Sequence, residues 1–160
     1  MAKEIERKFL VAGDAWRADA APGIAYRQGY LSAGSDAGCT VRVRLGGGRA
    51  YLTVKGPAAG AARDEYEYPI PPTDAAEMLE RLCAGGTVEK VRHLVPFAGR
   101  TWELDEFGGE NAPLVVAEVE IESADAAVKL PPWLGAEVTD DPRYTNAALA
   151  RSPFSRWGRP

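Results

Sequence analysis

Thr40-Val41-Arg42-Val43-Arg44-Leu45, then Gly46-Gly47-Gly48, then Arg49-Ala50-Tyr51-Leu52-Thr53-Val54-Lys55 is the stretch that decides the fold. Successive side chains of a strand point to opposite faces, so Val41, Val43 and Leu45 share one side while Arg42 and Arg44 share the other. The second half repeats the pattern, with Leu52 and Val54 against Thr53 and Lys55. Three glycines between two alternating runs predict a tight turn and an antiparallel hairpin. One face of that hairpin is apolar, and the other is a row of cations.

Six more segments alternate in the same way: residues 3–11, 24–32, 63–70, 88–95, 99–106 and 114–122. Turn residues separate neighbours, at 56–60, from Pro96 to Gly99 and at Gly108-Gly109. Three stretches follow a helical period instead. Asp74 to Ala84 carries Ala75, Met78, Leu79, Leu82 and Cys83 on one face, with Asp74 and Glu77 spaced as a reciprocal capping pair and Gly85-Gly86 as a stop. Ser123 to Leu130, before Pro131-Pro132, and Asn146 to Arg151 read as two shorter helices. Residues 152–160 read as a loosely packed carboxyl-terminal tail on a single domain of residues 1–151.

The polar faces are sorted by sign. Glu4, Glu6 and Lys8 share a face, as do Glu65 and Glu67, Lys90 and Arg92, Glu103 and Asp105, and Glu118, Glu120 and Glu122. Like charges on one strand face repel, and a solvated face has no reason to group them. Grouping makes sense when the faces look at each other across a closed space and share a multivalent ligand. Closing eight strands turns alternate residues inward around room for one small ligand. The expected fold is therefore mostly β within the α+β class: an eight-stranded antiparallel closed barrel with helices packed outside, against faces such as Tyr66, Tyr68 and Ile70.

Composition excludes other classes. The 160 residues are 46% apolar and 26% charged, as in an ordinary globular domain rather than a disordered chain or a disulfide miniprotein. A net charge of -4 argues against nucleic acid and anionic membranes as partners. The apolar runs are far shorter than a membrane helix of ~20 residues. The charged amino terminus is unlike a signal peptide. Cys39 and Cys83 are too few for a metal cluster and read as buried thiols in a reducing cytoplasm.

Guanidinium and ammonium groups match phosphate oxygens. Carboxylates spaced i, i+2 on a strand supply hard oxygen ligands for Mg²⁺ or Mn²⁺, which usually bridge one or two carboxylates to substrate phosphates. Both kinds in one cavity point to a metal polyphosphate site holding a small-molecule triphosphate.

Glu4-Ile5-Glu6-Arg7-Lys8 is a Glu-x-Glu-x-Lys pattern on the first strand. Tyr26-Arg27-Gln28-Gly29-Tyr30-Leu31, Val41-Arg42-Val43-Arg44, Thr53-Val54-Lys55-Gly56, Glu65-Tyr66-Glu67, Lys90-Val91-Arg92, Glu118-Val119-Glu120 and Glu137-Val138-Thr139 through Tyr144-Thr145-Asn146 follow in order. The set resembles the CYTH superfamily, the triphosphate tunnel metalloenzymes, and is most similar to its bacterial inorganic tripolyphosphatases. The resemblance implies Mg²⁺- or Mn²⁺-dependent hydrolysis of tripolyphosphate to pyrophosphate and phosphate. It implies Glu4, Glu6, Glu118 and Glu120 as metal ligands, with Glu65 and Glu67 completing the acidic wall. Lys8, Arg42, Arg44, Lys55, Lys90 and Arg92 would grip and orient the phosphates, joined by Tyr30 as a lining residue. Thiamine triphosphatase, class IV adenylate cyclase and a non-catalytic polyphosphate or nucleotide sensor are the competing readings. His93, the sole histidine, falls on the outer face by alternation, Arg27 likewise, and the four tryptophans read as packing residues. Glu103 and Glu122 fit a solvated mouth.

Overall fold

The computed structural model describes residues 3–31, 38–57 and 61–158. All eight alternating segments are strands: β1 (Lys3–Val11), β2 (Ile24–Tyr30), β3 (Thr40–Gly46), β4 (Arg49–Lys55), β5 (Ala62–Ile70), β6 (Thr87–Phe97), β7 (Arg100–Phe107) and β8 (Val115–Glu120). The end of the expected second strand, residue 32, and most of the 56–60 turn, residues 58–60, lie outside the described residues. Gly47 and Gly48 make the β3–β4 turn with φ of 61° and 75°, the left-handed region where a side chain is strained.

Every pairing is antiparallel, and the strands run β5-β4-β3-β2-β6-β7-β8-β1 with a further β5–β1 contact that closes the ring. That last contact uses only the amino half of β1, where Lys3, Glu4 and Ile5 face Asp64, Arg63 and Ala62. Beyond it a ninth strand, β9 (Leu134–Glu137), takes the same edge of β1, with Phe9 opposite Glu137 and Val11 opposite Leu134. Four residues with only Leu134 and Ala136 as apolar side chains carry too little alternation to be read as a strand, so β9 is not expected from the sequence. Its backbone partner on β1 holds it in place.

Helix α1 (Pro72–Arg81) seats Ala75 and Leu79 on Val43 and Ala50, which point outward from the hairpin. Burying one leucine side chain stabilises by roughly 1.5–3 kcal/mol. The helix begins two residues earlier than expected and carries no side-chain cap, because Pro72 occupies the first helical position, where its missing N–H costs nothing. The Asp74–Glu77 capping pair is accordingly absent. A second outer core joins Phe9, Trp102, Leu104, Ala117 and Val119 to Trp16 and Trp133.

Residues 123–130 are not helical. A segment this short before two prolines cannot sustain a helix on its own, and the Ser123 hydroxyl bonds the Asp125 carboxylate rather than a backbone N–H. Ala126 and Val128 still pack on the outer core. Helix α2 (Asn146–Arg151) forms as expected, with the Thr145 hydroxyl accepting from the Ala148 N–H at its start. Leu149 of α2 is fully buried against Val88, Phe107 and Val116, which share the inward parity of Lys90, Asp105 and Glu118. The helix therefore packs on the apolar end of the barrel interior. The chain after it is not loose either: Phe154 and Trp157 join this cluster, and Trp157 stacks edge-on with Tyr144 at 5.0 Å. Tyr66 and Tyr68, expected under a helix, stay exposed at 38% and 56%. Helix α1 covers β3 and β4 rather than β5. Cys39 and Cys83 are unpaired and only partly buried.

Candidate functional site

Alternation carries the charged rows into the barrel. A cavity of about 410 Å³ is lined by Glu4, Glu6 and Lys8 of β1, Tyr30 of β2, Arg42 and Arg44 of β3, and Lys55 of β4. Glu65 and Glu67 of β5, Lys90 and Arg92 of β6, and Glu118 and Glu120 of β8 complete the expected set around it. Every residue that the sequence pattern assigned to the site thus lines one space. Glu103 lines it too, with 41% of its side chain exposed, whereas Glu122 pairs with Arg100 outside it. His93 faces outward, with its ring 5.0 Å from Trp16 and Nε2 3.1 Å from Glu106.

Among the lining residues not foreseen, four bring side-chain donors or acceptors from new places: Arg63, and Thr145, Asn146 and Arg151. Arg63 shares the parity of Glu65 and Glu67, so alternation held the signal. The others come from α2 and the residue before it. A strand period says nothing about which helix covers a barrel end.

The walls are tied by ion pairs between strands. Lys55 Nζ stands 3.0 Å from Glu4 and 3.3 Å from Glu65. Arg92 grips Asp105 through Nε and a terminal nitrogen at 2.8 and 2.9 Å, and reaches Glu103 at 3.1 Å. Lys90 donates to Asp105 at 2.7 Å and to the Asn146 side-chain Oδ1 at 3.0 Å. An ammonium has three donors, so two are used here. Lys8 is 3.5 Å from Glu118 and donates to the Tyr144 carbonyl at 3.2 Å. These contacts also fasten the start of α2 to the barrel.

Two groups of side chains are left short of partners. Arg42 is 8% exposed, and the Nε atoms of both Arg42 and Arg44 are buried with no hydrogen-bond acceptor. Burial, with Arg42 and Arg92 beside it, holds the Arg44 guanidinium below its usual pKa. Buried donors without acceptors are costly, so this corner is built for an anion. On the acidic side, Glu6 and Glu120 sit directly opposite each other on β1 and β8, and among the described residues neither side chain has an ion pair or hydrogen bond. Burial, then the charges of Glu118 and Glu4, push the Glu6 carboxyl well above the ordinary carboxylate range. Burial and a hydrogen bond shared with Glu4 push Glu65 up to about 7. Burial opposes ionisation of Glu118 as well, but Lys8, Arg92 and Lys90 bring it down to about 2. Burial drives the Lys90 ammonium down to about 7, while Lys90 and Arg92 together keep Asp105 ionised against its own burial.

A divalent cation beside Glu6 and Glu120 would relieve this repulsion, so the donor set fits one. Among the described residues no three His, Cys, Asp or Glu side chains are arranged to hold a metal ion unaided. A hard divalent cation commonly takes one or two carboxylates and completes its shell with water and substrate phosphate oxygens.

The CYTH domain model matches residues 2–146. The chain is 49% identical to the inorganic triphosphatase of Acetivibrio thermocellus over 157 residues, spanning 98% of this chain and 99% of that one. It is 43% identical to the inorganic triphosphatase of Nitrosomonas europaea over 152 residues, spanning 93% and 97%. Among solved structures, that of the inorganic triphosphatase NE1496 superposes with a TM-score of 0.68 at 42% identity, covering 93% of this chain and 98% of the other. The fold alone extends to a Hippeastrum protein at 17% identity and a TM-score of 0.57. With its motifs in order along the strands, its charged rows turned into one closed barrel and a family match over nearly its whole length, the chain belongs to the CYTH domain family.

Proposed function

We propose that this protein hydrolyses a triphosphate, inorganic tripolyphosphate before any organic one, to pyrophosphate and phosphate inside its barrel, with Mg²⁺ or Mn²⁺. The observation that carries the reading is the meeting in one cavity of two arginines with buried, unpartnered Nε donors and two opposed carboxylates that make no ion pair among the described residues. Both relatives named above are inorganic triphosphatases.

Arg42 and Arg44 bind the phosphate chain through their guanidinium groups, with Lys8, Lys55, Lys90 and Arg92 supplying charge along it. Phosphoryl transfer depends chiefly on such positioning and charge stabilisation. Glu6 and Glu120 would hold the cation directly, with Glu4 and Glu118, now tied to Lys55 and Lys8, and Glu65 and Glu67 completing the acidic wall around it. When bound, the cation supplies charge neutralisation on the phosphate oxygens and a more acidic water. Two unpaired cysteines agree with a reducing compartment, and we place the enzyme in the cytoplasm. No helix among the described residues is long and apolar enough to cross a membrane.

The inorganic chain is favoured because Tyr30 is the sole aromatic residue among the described cavity-lining residues. Tyr26 is no stacking platform, since Arg44 and Arg92 flank its ring at 5.1 and 5.9 Å. The test is kcat/KM, the quantity that measures discrimination, for tripolyphosphate, thiamine triphosphate, ATP and pyrophosphate. Tripolyphosphate is expected to lead and pyrophosphate to be poor, because a shorter anion leaves buried cations unpaired. A higher kcat/KM for ATP or thiamine triphosphate would overturn the inorganic assignment.

A further inference from the structure

We propose that Thr53 is a positioning residue for the phosphate site, its hydroxyl keeping Arg42 from collapsing onto Glu67. The inference rests on the reading of the cavity as a triphosphate site. Thr53 is fully buried and stands in register between Arg42 on β3 and Glu67 on β5, so the three side chains form one row across three strands. Its Oγ1 accepts from an Arg42 terminal nitrogen at 3.2 Å and donates to Glu67 Oε2 at 2.9 Å. The direction is forced: a guanidinium only donates, an ionised carboxylate only accepts, and a hydroxyl does one of each.

The hydroxyl thus stands between two opposite charges. Arg42 and Arg44 approach the same Glu67 oxygen at 3.5 and 3.8 Å without a direct hydrogen bond. Without Oγ1, the Arg42 nitrogen and Glu67 Oε2 both lose a partner, and each is the other's nearest replacement. A charge-assisted bond is short and strong, so the two would close on each other. The guanidinium would then turn toward the Glu67 wall and away from the anion. The barrel keeps an ion pair, and the site loses an anion donor.

The experiment measures KM and kcat with tripolyphosphate, and calorimetric tripolyphosphate affinity in chelator, for wild type, Thr53→Val, Thr53→Ser, Glu67→Gln and the Thr53→Val/Glu67→Gln pair. Thr53→Val is expected to weaken metal-free binding and raise KM by about tenfold or more, the worth of one hydrogen bond to a charged group, with a smaller change in kcat. Thr53→Ser, which keeps the hydroxyl, stays within about threefold of wild type. In the Glu67→Gln background the valine substitution costs little, since no charge remains for Arg42 to close upon. Should Thr53→Val not fold by circular dichroism, Thr53→Ala carries the same expectation.

Wild-type affinity in the valine variant, equal damage from serine, or full damage in the Glu67→Gln background would each overturn the proposal. A wild-type protein that binds no tripolyphosphate would instead overturn the functional reading beneath it. One that binds without cleaving would leave the binding measurements to decide the role of Thr53.

Discussion

Replacing Glu6 with Gln is expected to lower turnover by at least ~10²–10³, the usual cost of removing one well-placed electrostatic group, while leaving the barrel folded. The same change should stabilise the metal-free protein. Glu6 is held protonated to unusually high pH by burial and by Glu118 and Glu4. A carboxyl whose folded pKa is raised above its unfolded value near 4.5 does no harm below that value. Stability is then lost as pH climbs through the raised folded value, because the unfolded chain ionises more readily. Glu6→Gln escapes this loss. In excess chelator its Tm should match wild type near pH 4, exceed it increasingly as pH rises, and level off above the raised pKa. Full activity, or a lower Tm at pH 8 in chelator, would contradict the assignment of Glu6 to the cation side.

Arg42→Ala is expected to reduce kcat/KM for tripolyphosphate by about two orders of magnitude, again the scale of one lost electrostatic donor. It should also shrink the rise in Tm that tripolyphosphate produces, since a ligand of the folded state stabilises in proportion to its affinity. Arg27 supplies the control. It is exposed on the same barrel, on the outer face of β2, and Arg27→Ala should leave both readouts within about twofold of wild type. Equal losses in the two variants would mean that net positive charge, rather than the inward guanidinium, drives binding.

The strands were legible because alternation is a local property. Val43 and Arg44 announce their opposite faces in the sequence itself, and the expectation that Arg42 points inward needed only a closed sheet. The same rule placed Glu65, Lys90 and Glu118 in the cavity and kept His93 out of it. What the period could not show was how loops and helices cover the barrel. Asn146, which orients Lys90, reaches the cavity only because Leu149 anchors α2 on the barrel's apolar end. β9 is a strand because β1 has a free edge beyond Ile5, a property of the ring and not of Leu134–Glu137. The pattern also misjudged exposure outside the ring: Tyr66 and Tyr68 have the right parity for covering, but α1 lies over β3 and β4. Residues 123–130 carry suitable apolar side chains, yet the Ser123 hydroxyl is spent on Asp125 and caps no backbone N–H, unlike Thr145 before α2, and Pro131 cuts the segment short. Thr53 shows a further limit, because alternation put it inside without revealing that two opposite charges share its hydroxyl.

The central claim is that cation and triphosphate act together in this one cavity. Phosphorus NMR of tripolyphosphate incubated with the protein tests it most directly, run with Mg²⁺ and again in excess chelator. The account predicts that with Mg²⁺ the signals of pyrophosphate and phosphate grow in equal amounts, that pyrophosphate then persists, and that in chelator tripolyphosphate stays intact. Cleavage at the same rate in chelator, or pyrophosphate consumed as fast as it forms, would contradict it.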